Sequence, residues 1–135
     1  MRKLISTNYS AGAFNTATLL TRVVFGILMM NHGYDKLVHF ATYKKDFMSF
    51  LGLGSTTTLL LVIFAEFFCA LFVLLGLFTR LSTIPVIICM AVALIKVHNN
   101  QIFGNGQAAC IFLTGFLVLL IIGPGKISVD GVSGK

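Results

Sequence analysis

Four long stretches of this chain are almost without charge, near residues 16–37, 56–78, 81–97 and 107–122. A helix of about 20 mostly apolar residues is what it takes to cross the hydrocarbon of a bilayer. Apolar residues run here in blocks, without the alternation of a half-buried strand. Charged residues make up 10% of the 135, against roughly a quarter in soluble domains. So few charges would not cover a surface in water. The fold class expected is therefore all-α: a single integral membrane four-helix bundle.

The blocks are not equal rods. The first carries Arg22 near its start and Asn31, His32, Asp35 and Lys36 near its end. Between the first and second, Phe40, Tyr43, Phe47, Phe50 and Leu51 recur at helical spacing opposite Lys44, Lys45, Asp46 and Ser49. That pattern predicts an amphipathic helix over 38–51, lying in the interface and ended by Gly52 and Gly54. The second block holds one charge, Glu66, and GLFTR links it to the third. The third has Pro85 in its first turns, where proline is tolerated, and looks short for a span. GPG breaks the fourth. Cys69, Cys89 and Cys110 each stand alone in an apolar block, without a C-x-x-C pair, so they read as small packing residues.

The net charge of +6 is not a nucleic-acid footprint, because the basic residues are scattered beside the apolar blocks, where they suit lipid phosphates. Arg2 and Lys3 are followed by a polar stretch, so no removable leader is expected. Four spans put both termini on one side. Arg2, Lys3, Arg22, Arg80, Lys126 and Lys135 fall there, and Lys36, Lys44, Lys45 and Lys96 fall opposite. The excess favours cytoplasmic termini.

An ionisable group at membrane depth costs about 2.5–3.5 kcal/mol on insertion scales, so each one needs a reason. Glu66 is the deepest acid. It reads either as a proton-handling or ligand-bonding group, or as a lock to Lys36, His32 or backbone on another helix. His32 and Lys36 are spaced i, i+4, on one face of the first span. With Glu66 and with His98 at the end of the third span, they make one candidate pocket toward the loop side. His39, on the surface segment, reads as interfacial. Arg22, Arg80 and Asp130 form a second group on the terminal side. A guanidinium pairs well with a carboxylate, so an ion-pair closure by the tail is expected there. Gly26, Gly33 and Gly76 suit close helix packing.

Together, RVVFGILMMNHGYDKL in the first span, the lone Glu66, GLFTR after the second span and GPGKISVDG after the fourth resemble the DoxX family. The resemblance runs from about Arg22 to Gly131. Matching positions are Arg22, Gly33, Lys36, Glu66, Gly76, Arg80, Gly123, Gly125, Ser128 and Asp130, and His98 also fits. It implies a small bacterial inner-membrane protein with four helices. The family is related to DoxD-type subunits of thiosulfate:quinone oxidoreductases and quinol oxidases, and it has no single settled activity.

Three functions follow as expectations. A redox-associated subunit would bind quinone through His32, Lys36, Glu66 and His98, or dock an oxidoreductase. No flavin or nucleotide fingerprint is present, so its electrons would come from a partner. A non-enzymatic protein would use the same pocket to bind or move a small amphiphile or lipid, or would scaffold a complex or homo-oligomer. Haem b between His32 and His98 is not expected, because two-histidine haem bundles place their ligands deeper among small residues. No metal site is expected.

Overall fold

The structure is a computed structural model describing residues 4–134. Arg2, Lys3 and Lys135, counted in the charge balance above, lie outside the described residues. Helix α1 is Ala11–Val38, α2 is Phe40–Asp46, α3 is Ser55–Leu75, α4 is Thr79–Val97, α5 is Gln107–Ile122 and α6 is Val129–Val132. Helices α1, α3 and α4 are long and apolar enough to cross a membrane. Helix α5 is apolar but has 16 residues, about 24 Å at 1.5 Å per residue. The shortest span is thus the fourth, not the third. The chain is a multi-pass helical membrane bundle.

Helix ends explain where the expected bounds moved. Helix α1 starts well before residue 16, because the Ser10 hydroxyl accepts from the Ala13 N–H at 3.1 Å and caps it. Helix α3 stops at Leu75, three residues early. Gly76 there has φ +73°. Its N–H bonds the Val73 carbonyl and the Leu77 N–H bonds that of Phe72, the paired C-terminal closure that a left-handed glycine permits. The interfacial helix is shorter than expected: α2 covers 40–46 only. Residues 47–54 leave the helix because Phe47, Met48 and Phe50 turn inward to line a cavity, and that burial overrides local helical preference.

The core runs along the bundle axis through Met29, Cys69, Val73, Val86, Met90, Phe112, Phe116 and Leu119. Phe25 packs edge-on against Phe112 and Phe116. Cys69, Cys89 and Cys110 are free thiols, and Cys69 belongs to this core. Both ends of the chain meet on one side, where the Lys126 N–H donates to Asn15 Oδ1 at 3.0 Å.

The terminal side is closed differently from the expected ion pair. Arg22 is 2% exposed, yet no salt bridge joins Arg22 or Arg80 to Asp130 among the described residues. Arg22 instead donates to four carbonyls: Val73 (3.1 Å) and Leu74 (3.0 Å) at the end of α3, and Pro124 (2.9 Å) and Ile127 (2.7 Å) after α5. Asp130 accepts from the Phe78 and Thr79 N–H groups at 3.0 and 3.1 Å, at the start of α4. Arg80, exposed, donates to the Ile121 carbonyl at 3.3 Å near the end of α5. Each charge therefore sits where a helix dipole has the opposite sign. Unpaired backbone groups at helix ends cost several kcal/mol in an apolar medium, and they outcompete a side chain–side chain pair. Asp130→Ala strips both acceptors from the start of α4. We expect it to lower stability by about 2 kcal/mol, read as a reduced thermal midpoint in detergent.

Candidate functional site

Toward the loop side the helices diverge around a cavity of about 500 Å³, within the usual range for small-molecule sites. His32, Lys36, Glu66 and His98 all line it. Most of the remaining wall is apolar, including Met29, Phe64, Ile88, Met90 and Phe112.

Backbone irregularity shapes two of its walls. Residues Phe64–Cys69 of α3 and Ala93–Val97 of α4 are π-helical. A π turn inserts a residue into the ladder and re-aims the side chains around it, and such turns concentrate at functional sites. The first contains Glu66 and the second ends against His98. Phe64, Ala65, Ala93 and Val97 from these turns also line the cavity.

Glu66 is 4% exposed. Lys36 Nζ lies 2.8 Å from its Oε2 and 3.3 Å from its Oε1. The longer contact has hydrogen-bond geometry. The shorter one is an ion-pair contact off the ideal hydrogen-bond direction, so Oε2 is charge-compensated by Lys36, has no other donor on it and keeps lone-pair capacity toward the cavity. Burying this ion pair is costly unless the remaining lone pairs find donors. An acceptor with spare capacity on a cavity wall therefore suits a ligand that donates.

Close approach of α1 to α3 makes the pair possible. A Cβ on Gly33 would lie 2.7 Å from both the Glu66 carbonyl carbon and the Phe67 nitrogen, backbone atoms that cannot rotate away. Gly33→Ala must push the two helices apart. The expected cost is about 2 kcal/mol, measurable as a reduced thermal midpoint in detergent.

His32 packs its ring edge-on against Phe112 at 5.5 Å between centroids. His39 lies outside the cavity, 3.1 Å from Asp35 Oδ1. Tyr43 of α2 donates to Asp35 Oδ2, and that bond raises the phenol above its ordinary range. The Lys36 ammonium lies 5.9 Å from the Tyr43 ring centroid, so α2 is fastened over the end of α1 beside the ion pair. Sequence reasoning missed the contribution of 47–50 and of Phe112. Nothing marks them in the sequence, since an aromatic lining a cavity and one facing lipid look alike. Among the described residues, no group of three or more His, Cys, Asp or Glu side chains is placed to hold a metal ion.

The DoxX family profile matches residues 17–99, a stretch that contains α2, α3 and α4, most of α1, and His32, Lys36, Glu66 and His98. The inner membrane protein YqjF of Escherichia coli (strain K12) is 28% identical over 127 residues, covering 90% of this chain and 95% of that protein. No solved structure matches. The matched profile spans more than half of the chain, and the protein belongs to the DoxX family.

Proposed function

We propose that this DoxX-family protein holds the head of a quinone in the loop-side cavity, as a redox-associated subunit of the inner membrane. The observation that carries the reading is the Lys36–Glu66 ion pair, set in the wall of an apolar cavity with no donor other than Lys36 on Glu66 Oε2. Lys36 and Glu66 neutralise each other, which favours an uncharged head. An anionic phosphate or carboxylate head would add an unbalanced charge beside a buried carboxylate, at a cost of several kcal/mol. A quinone ring has two carbonyl acceptors, and its reduced form has two hydroxyl donors. Lys36 has three N–H donors, enough to keep Glu66 and serve a carbonyl. Glu66 Oε2 would accept from the hydroxyl of the reduced form. His32 and His98 also line the cavity and would serve the second oxygen. An oxidoreductase docked to the membrane surface would supply or take the electrons. The charge balance of the loops puts both termini in the cytoplasm in this reading.

The test is to purify the protein from membranes in mild detergent, record its visible spectrum, and extract and quantify bound quinones and lipids. About one quinone per chain is expected. Glu66→Gln, which replaces a charged acceptor, should retain about tenfold less of the reduced, hydroxyl-bearing form, because a hydrogen bond to a charged group contributes about 1.5–3 kcal/mol. A colourless, quinone-free protein that keeps a lipid would sink the quinone reading in favour of an amphiphile carrier or scaffold. A Soret band would sink it in favour of haem at His32 and His98.

A further inference from the structure

The cavity is covered by protein toward the aqueous side but not along its flank. Its loop-side cover is the segment between α2 and α3, where Phe47, Met48 and Phe50 line it. That segment is tied down: the Phe50 N–H donates to Thr58 Oγ1 and the Gly54 N–H to Ser49 Oγ, each at 2.9 Å. Deeper in the bundle, the lining residues Met29 and Met90 belong to the packed core.

The flank between α3 and α4 differs. Leu61 and Phe64 on α3 and Ile88 on α4 line the cavity, and they are also 49%, 50% and 53% exposed. All three lie within membrane-spanning helices, so their outer faces meet acyl chains, not water. Phe64–Cys69 of α3 packs on Thr79–Val92 of α4, and on the loop side of that contact the two helices have different partners. Residues Ser55–Ile63 of α3 pack on α1 and α2, whereas Ala93–Val97 of α4 packs on α5. The polar groups Lys36, Glu66 and His98 gather inside, and the flank itself is apolar.

We infer that the site is loaded from the bilayer, through the gap between α3 and α4, by an amphiphile whose uncharged head enters first and whose apolar tail stays in the gap against Leu61, Phe64 and Ile88. The inference rests on the head-binding reading above and adds to it the route and the place of the tail. A tail left in the gap exchanges lipid contacts for equally apolar protein contacts, so it adds little affinity. It acts as a steric tether, and bulk placed in the gap must compete with it directly.

The experiment uses the full chain in nanodiscs with two probes, a benzoquinone bearing a ten-carbon tail and the same ring without a tail, each quantified after capture and rapid washing. Ile88→Trp and Leu61→Trp fill the gap. Ile111→Trp is the control, since Ile111 is equally lipid-exposed on α5 but does not line the cavity. Monodisperse elution and an unchanged thermal midpoint qualify each variant, and two gap variants guard against one failing to fold. The added indole occupies the space that the tail needs, so a gap variant should hold about tenfold less of the tailed probe. The ratio of tailed to tailless probe held should fall in both gap variants, and Ile111→Trp should keep the ratio of the unaltered chain. If both gap variants hold the tailed probe as well as the unaltered chain does, the tail does not lie there, and the inference is overturned while the head site stands. If neither probe binds the unaltered chain, the head-binding reading fails and the route falls with it.

Discussion

Arg22→Met is expected to lower the stability of this protein by about 3–5 kcal/mol, more than most single substitutions. The guanidinium donates to four carbonyls from two parts of the chain, Val73 and Leu74 at the end of α3, and Pro124 and Ile127 beyond α5. Methionine fills much of the volume but leaves those acceptors to face each other. Each hydrogen bond to a charged donor contributes about 1.5–3 kcal/mol. The total stays below the sum because the Val73 carbonyl keeps the Gly76 N–H and the loop can relax. Arg22→Lys should recover less than half of the loss, because an ammonium cannot present a planar fork to carbonyls on two sides. The measurement is denaturation in mixed micelles followed by helical circular dichroism. A loss under 1 kcal/mol for Arg22→Met would mean that the helix ends are closed by something else. Little effect on ligand retention is expected in molecules that remain folded, since Arg22 lies on the terminal side.

The second large effect separates architecture from ligand binding. Lys36→Met leaves the Glu66 carboxylate, 4% exposed, without its counter-charge at 2.8 Å. Breaking a buried pair from one side typically costs about 3–5 kcal/mol, and the lower end is expected here because the cavity admits some relaxation. Adding Glu66→Met should restore most of that stability, since replacing both members of a buried pair by apolar groups of similar volume is often neutral or better. Under the proposed function, the double variant should be folded and still retain no quinone. If it instead binds quinone at the level of the unaltered chain, the pair is only a lock between α1 and α3. The cycle thus distinguishes the two roles that Glu66 admits from its position in the chain.

Much of the candidate site was legible along the chain for a simple reason. An ionisable residue inside an apolar block stands out, and helical periodicity tells which of its neighbours share a face. Lys36 and His32 are one turn apart on α1, and Glu66 is the lone acid of α3. Their placement at one end follows from span counting. The partner choice at the other end was not legible. Arg22 and Asp130 suggest an ion pair when read as side chains, but each bonds to backbone at a helix end. Backbone carbonyls and N–H groups are the same at every position, so a sequence does not show where helix ends will be brought close.

What this sequence determined by itself was a helical membrane bundle, because apolar blocks of this length have few other ways to satisfy their backbone in lipid. It also determined which side chains were too costly at that depth to be there without a partner or a ligand. Only the tertiary structure decided that α2 would stop at Asp46 so that Phe47, Met48 and Phe50 could cover a cavity. The same holds for the two π turns that border this cavity, and for Gly33, which lets the Glu66 backbone come within reach of Lys36. These features depend on how the helices diverge, and divergence is set by contacts between residues distant in sequence, which no local pattern records.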